Sequence, residues 1–359
     1  MGYPIYASTG LTHHEQSKAF QGVTIYTPMG SGNTYLIDMQ GEIVHSWTAP
    51  LPLKPFYGFL RDNGNLSLHC FTGDEPFQGG GFGSVILELD WDGHEVSRYE
   101  NPDLHHDREY LRNGNMMIIG WEKLPEEFLS KVKGGSNAPG EDPTEIIGDY
   151  LNEVTPEGEV VWEWHGSEKL DTDIDVICPL DGRHEWTHCN SVAEMQNGNI
   201  LLSFRSTSTI LILDKSTGDV IWRFGPGVLS HQHNPTPLSN GNILIFDNGE
   251  HRIRGGSFSR VVELDPKTKE ITWEYKGKPS LSLFSTGISG AQRLPNGNTL
   301  ICDGRSGILL EVTNGGELVW EFVNPETFLW RGEVGTRAIF RAQRYAVDGP
   351  EIQGRVEQK

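Results

Sequence analysis

Met195-Gln196-Asn197-Gly198-Asn199-Ile200-Leu201-Leu202 reads as the end of one β-strand, a tight Asn-Gly turn and the start of the next. The Asn-Gly-Asn unit occurs five times, beginning at Asn63, Asn113, Asn197, Asn240 and Asn296. An apolar residue stands two places ahead of it at Leu111, Met195, Leu238 and Leu294, and three places ahead at Leu60. An apolar run follows, as in Ile243-Leu244-Ile245. Self-similarity of this kind marks a repeat architecture, here one built on hairpins.

A second repeat supplies the other half of each unit. It runs from Leu36-Ile37-Asp38 to Trp47, Leu87 to Tyr99, Glu153 to Trp162, Leu213-Asp214 to Trp222, Leu264-Asp265 to Trp273 and Val312-Thr313 to Trp320. Each copy ends on an aromatic residue able to fill the space between neighbouring sheets. Six copies predict an all-β, six-bladed β-propeller. The copy at Val23 to Trp47 has only one hairpin, so Thr336 to Tyr345 is expected to complete it. Pairing of N- and C-terminal strands would then close the propeller and remove exposed edges. The expected layout is an N-terminal extension over 1–20, the propeller over 21–347 and a C-terminal tail over 348–359. From Asn113 to Asn197 the repeat spacing is 84 residues, against 43 to 56 elsewhere, which places loop insertions at about 122–149 and 165–183. The first opens with Pro125-Glu-Glu-Phe-Leu-Ser-Lys131, a short helix, and is expected to form a flap over one mouth of the propeller.

The chain has 359 residues with 29 Lys+Arg against 49 Asp+Glu, a formal net charge of -20, which repels nucleic acid and anionic membranes. Residues 1–19 lack a basic then apolar signal pattern, and no run approaches a membrane span. A cytoplasmic protein is expected, or a periplasmic one if a leader has been removed. Cys70, Cys178, Cys189 and Cys302 show no Cys-x-x-Cys spacing and read as free thiols.

The first strand of each propeller blade lines the central channel, so a fixed offset before Asn-Gly-Asn selects residues facing one another. Seven places ahead stand Phe56, His106, Asn190, His233 and Ser289, and His188 lies two residues before Asn190 on the same strand face. Their strings are His105-His106-Asp107, Thr187-His188-Cys189-Asn190 and His231-Gln232-His233. Arg205 ends the next strand and adds a permanent cation suited to sulfate, phosphate or carboxylate oxygens. Histidines with an arginine describe an anion site. The bland alternative is a channel plugged by satisfied polar groups. Three histidines also suit a metal, though Arg205 would oppose a nearby cation. No G-x-S-x-G elbow supports a serine hydrolase. Trp121, Trp186, Trp330 and Tyr57 lie near strand ends and either border the channel mouth or pack between blades. His13, His14, His45, His69, His94, His165 and His251 fall off the offset and read as surface or structural residues.

Taken together, Tyr35 to Trp47, Trp186-Thr-His-Cys-Asn-Ser191, Ile200 to Arg205, Gln232-His233 and Ala291 to Asn298 resemble the bacterial arylsulfotransferase family over essentially the whole repeat array. The resemblance implies a six-bladed propeller that moves a sulfuryl group between phenols without metal or cofactor. It implies His233 as the sulfated histidine, with His188, Asn190, His106 and Arg205 binding sulfuryl oxygens, and with His105 and His231 as neighbours at risk of a register slip. The expected partner is a small anionic aromatic molecule. The same residues would also serve a lyase, with a histidine base and Arg205 neutralising a uronate carboxylate. A non-catalytic interaction propeller is disfavoured by polar, acidic loops.

Overall fold

The computed structural model describes residues 8–77, 80–137, 145–330 and 333–356. The protein is a six-bladed β-propeller whose six sheets each follow the sequence repeat. Three blades are built from the chain's two ends. One pairs Ile339–Tyr345 with Val23–Pro28, then Asn33–Ile37 and Ile43–Thr48. Thus the C-terminal segment does supply the strand missing from the first copy. The second consists of Lys54–Leu60, Leu66–Phe71, Val85–Leu89 and Glu95–Glu100. The third has Gly290–Arg293, Thr299–Asp303, Ile308–Val312 and Leu318–Val323, with Gly10–His14 added as a fifth strand.

The other three blades come from the middle of the chain: Leu104–Tyr110 with Met116–Lys123, Ile147–Val154 and Val160–His165; Cys189–Glu194 with Ile200–Phe204, Thr209–Asp214 and Asp219–Phe224; and His233–Pro237 with Ile243–Asp247, Arg260–Asp265 and Glu270–Lys276. By compactness the chain forms two units, one of residues 1–74, 84–101 and 275–359, the other of 75–83 and 102–274.

The Asn-Gly-Asn turn has a physical reason. In the second blade, Gly64 N donates to Arg61 O and Arg61 N to Asn65 O, a turn that needs the left-handed backbone of Gly64 at φ 81°. Asn63 Oδ1 accepts the Asn65 N–H at 3.0 Å, and Asn65 Nδ2 donates to Glu88 Oε1 on the third strand at 2.6 Å. The same clamp joins Asn115 to Glu153, Asn242 to Glu263 and Asn298 to Glu311. The closing aromatics also act as expected. Trp47 Nε1 donates to Asp90 O, Trp222 Nε1 to Pro266 O and Trp320 Nε1 to Met39 O, each reaching the next blade's outer hairpin. In the third copy this role belongs to Trp164, which donates to Gly218 O, while Trp162 is only half-buried.

The expected short helix is present at Glu126–Leu129. Part of its insertion, 138–144, lies outside the described residues, and the flap expected there with it. The second insertion forms a strand, Ile177–Gly182, paired in parallel with Gly134–Ser136. Among the described residues no helix is long and apolar enough to cross a membrane.

Candidate active site

The candidates His105, His106, His188, Asn190, Arg205, His231 and His233 all lie in the unit of residues 75–83 and 102–274, whereas Phe56, Tyr57, Ser289 and Trp330 lie in the other. Within the former group all but Arg205, which follows the second strand Ile200–Phe204, stand where first strands begin, and there the two-residue alternation fails. The pairing register shifts between Cys189 and Ser191, opposite Phe204 and Ser203, so Asn190 occupies a bulge. His188 precedes its strand with φ 63°, and His106 and His231 take φ 54° and 56°. Such left-handed backbone is costly for non-glycine residues and concentrates at functional sites. His188 and Asn190 are therefore not set side by side by strand alternation, as their spacing predicts. They are placed by a left-handed residue followed by a bulge.

Three histidines share one posture. His233 Nδ1 faces two acceptors, Asn248 Oδ1 at 2.8 Å and His231 O at 3.1 Å, so Nδ1 carries the proton and the lone pair falls on Nε2. His188 Nδ1 donates to Glu185 Oε2 at 2.6 Å, and Glu185 Oε1 accepts Trp121 Nε1–H at 2.8 Å. His106 Nδ1 lies 2.8 Å from His105 Nδ1, and His105 Nε2 lies 3.3 Å from Asp149 Oδ1. The rings of His106 and His188 meet edge to face at 4.5 Å.

Asp149 is 1% exposed and also accepts Thr187 N, Thr187 Oγ1 and Cys189 N at 2.9–3.0 Å. Burial pushes its carboxyl upward, but the hydrogen bond and charge of His105 and the Thr187 donors outweigh this and hold it below the ordinary carboxylate value. His105 stacks on Trp121 at 4.3 Å and 10°. His105 and Trp121 are thus walls behind His106, and Trp186 is likewise buried, donating to Asp175 O. The side chain of Trp330 lies outside the described residues. The Gly80-Gly81 segment lies against the other side: a Cβ on Gly81 would fall 2.5 Å from His106 Nε2, and one on Gly80 3.7 Å from His188 Cε1.

The remaining candidates gather in a neighbouring corner. Arg205 Nη2 binds Glu250 Oε2 at 2.6 Å and Nη1 binds Asp181 Oδ2 at 3.4 Å, so two carboxylates already engage the guanidinium. His231 Nδ1 faces Glu250 O at 2.9 Å and Nε2 faces Asp181 Oδ2 at 2.7 Å. Burial raises and His231, Arg205 and His251 lower the Asp181 carboxyl, for a net fall. Asn190 joins the two groups, because its Nδ2 donates to Gln232 O at 2.8 Å and its strand follows the Arg205 N to His188 O bond of 2.9 Å.

The repeat register finds His106, Asn190 and His233 but misses their supports. Trp121, Arg205 and Asn248 all stand eight places after the first asparagine of their turns, so that signal was present in the sequence. Glu185, Asp149, Asp181 and Glu250 carry no repeat offset.

The sequence model of the arylsulfotransferase (ASST) family matches residues 64–325, which include every residue of this site. The chain belongs to the arylsulfotransferase family. This family member is similar in structure to a protein of unknown function from Bacteroides caccae, with a TM-score of 0.58 and 14% identity over 90% of this chain and 99% of the other. It is similar also to a streptogramin B lyase, with a TM-score of 0.51 and 13% identity over 96% of each chain. At such identities the likeness concerns the fold alone. No curated protein matches this arylsulfotransferase-family sequence.

Proposed function

We propose that the protein transfers a sulfuryl group from an aryl sulfate to a phenolic acceptor through a sulfated histidine. Family membership supports an arylsulfotransferase-like activity. The observation that carries the finer reading is the shared posture of His106, His188 and His233, each held at Nδ1 by a partner behind it. In the proposed reaction His233 Nε2 attacks sulfur, an N–S bond forms and the S–O bond to the aryl group breaks, releasing phenolate. A phenol, its proton passing to solvent, then attacks the same sulfur; an S–O bond forms, the N–S bond breaks and its electron pair returns to His233 Nε2. Asn248 keeps His233 in the nucleophilic tautomer. His188, anchored at Nδ1 by Glu185, and His106 face the charge gathering on the sulfuryl oxygens. Arg205, engaged by Glu250 and Asp181, acts as a positioning residue for the His231 corner.

The test incubates the protein with a chromogenic aryl sulfate, with and without phenol, and follows phenolate release and intact mass. Acceptor-dependent release and an adduct of one sulfuryl group are expected. Both should vanish in His233→Ala, with kcat/KM down by about three orders of magnitude or more. Full activity in that variant sinks the proposal.

A further inference from the structure

Four side chains with metal-binding atoms meet in the corner beside Arg205, and the sulfuryl-transfer reading does not use them together. Cys178 Sγ, an Asp181 carboxylate oxygen and one ring nitrogen each of His231 and His251 all lie within 4.8 Å of one another. We propose that Cys178, Asp181, His231 and His251 form a binding site for one divalent transition-metal ion of the zinc class, which pins the inserted strand Ile177–Gly182 to the blade that begins at His233–Pro237.

Geometry carries the assignment. Bonds of about 2.0–2.3 Å in a tetrahedral array put ligand atoms about 3.3–3.6 Å apart. Here Cys178 Sγ is 3.5 Å from His251 Nδ1, and His251 Nδ1 is 3.6 Å from Asp181 Oδ1. His231 Nε2 and Asp181 Oδ2 are closer, at 2.7 Å, and would part by under 1 Å to admit an ion between them. The rings of His231 and His251 stand nearly perpendicular, at 87° with centroids 4.7 Å apart. Both residues hold left-handed backbone, φ 56° and 59°.

The outer partners also match a metal site. His231 Nδ1 donates to Glu250 O, the kind of bond that orients a ligating imidazole and leaves its other nitrogen for the ion. A cation between His231 Nε2 and Asp181 Oδ2 would take both as ligands in place of their direct contact. Arg205 does not forbid the charge. Thiolate and Asp181 carboxylate balance a divalent ion, and Glu250 balances Arg205. A thiolate, two imidazoles and a carboxylate suit Zn²⁺ ahead of the hard cations. Coordination takes the Cys178 thiol proton to solvent. The main chain is already aligned, since Cys178 N donates to Ser206 O at 2.7 Å.

The experiment strips the full chain with a chelator and titrates it with Co²⁺ as a spectroscopic probe, then with Zn²⁺ in competition. One Co²⁺ per chain is expected, with thiolate-to-cobalt charge-transfer absorption that Zn²⁺ removes and Cys178→Ser lacks. His251→Ala should weaken Zn²⁺ by about a hundredfold or more. Melting temperatures in chelator show that each variant folds as metal-free wild type does, and if Cys178→Ser fails this check, His251→Ala and Asp181→Asn carry the test. The exposed Asp90, Asp92 and His94 group serves as control. No stoichiometric binding by wild type overturns the proposal. So does binding that survives Cys178→Ser and His251→Ala but is lost in His94→Ala.

Discussion

Seven places before Asn-Gly-Asn, the unit built from the chain's two ends carries Phe56 and Ser289, whereas the unit built from its middle carries His106, Asn190 and His233. Around Phe56 the first unit packs rings: Phe340 stands 5.0 Å from Phe56 and 5.5 Å from Tyr57, with Arg341 over both Phe340 and Tyr57 at 5.3 Å. The second unit fills the same repeat positions with His106, Asn190 and His233, whose side chains meet His105, Gln232 O and Asn248. The scaffold is common, since Asn65 and Asn242 clamp their turns to Glu88 and Glu263 alike. At this fixed offset the hydrogen-bonding rings and amide gather in one unit, while the other places a packed Phe56 and a hydrogen-bonded Ser289 there.

This contrast can be broken from either side. The largest effect is expected in the first unit, where Glu311 is fully buried and accepts Arg344 Nη1, Asn298 Nδ2 at 2.6 Å and Phe20 N at 2.7 Å. Arg344, which burial lowers to about 10, stacks over Trp320 at 4.3 Å. Glu311→Ala leaves this guanidinium buried without its counterion and should cost about 3–5 kcal/mol in denaturant unfolding. Its effect on sulfuryl transfer per folded molecule should be small. A drop in kcat/KM matching that of a site variant would deny the division of labour.

In the second unit, His106→Phe installs the residue type found at that offset in the second blade. It should lower kcat/KM with aryl sulfate by about a hundredfold to a thousandfold while far-ultraviolet circular dichroism stays unchanged. Unaltered kinetics would remove His106 from the site.

A third pair sharpens the comparison through pH. Asp247 and Asp303 both stand seven places after the first asparagine of their turns. Asp247 accepts Arg260 Nε at 2.7 Å, Arg252 Nη2 at 3.0 Å and Ser230 N at 2.8 Å. Asp303 is buried, and burial raises its carboxyl to about 6. A folded-state value above the unfolded one means that the folded state holds the proton more tightly. The group therefore favours folding at low pH and loses that advantage as pH rises from about 4 through about 6. Asp303→Asn should accordingly stabilise the protein by about 2–3 kcal/mol at pH 8, the gain shrinking toward pH 4, while Asp247→Asn destabilises it. Urea unfolding at several pH values checks this, and equal signs for the two variants would refute it.

The smallest expected effect is common to both units. Asn65→Ala and Asn242→Ala each remove one clamp and should cost about 1 kcal/mol by urea unfolding, without loss of activity. Unequal costs well outside that range would show that the turn is not a shared structural device.

How much of this was legible from sequence follows from which forces are local. A tight turn with glycine in left-handed conformation needs Asn-Gly-Asn at one place in each repeat, so hairpins, blade number and the completing role of Ile339–Tyr345 can be read from spacing. The same register points to His106, Asn190 and His233. It misplaces Trp162 for Trp164, because the two stand two residues apart on one strand and alternation alone does not choose between them.

The sequence alone determined the repeat, the blades and which of them carry histidines, because turn chemistry and strand period act over a few residues. Only the tertiary structure decided what those histidines are bonded to. Asp149 comes from the first residues of a third strand, Asp181 and Cys178 from an inserted strand, Glu185 from the segment that follows it, and His251 from a loop beyond a strand end, none at a repeated offset. Their meeting depends on how packed sheets and inserted strands bring distant side chains together, and a buried carboxylate or thiol takes its chemical character from those neighbours.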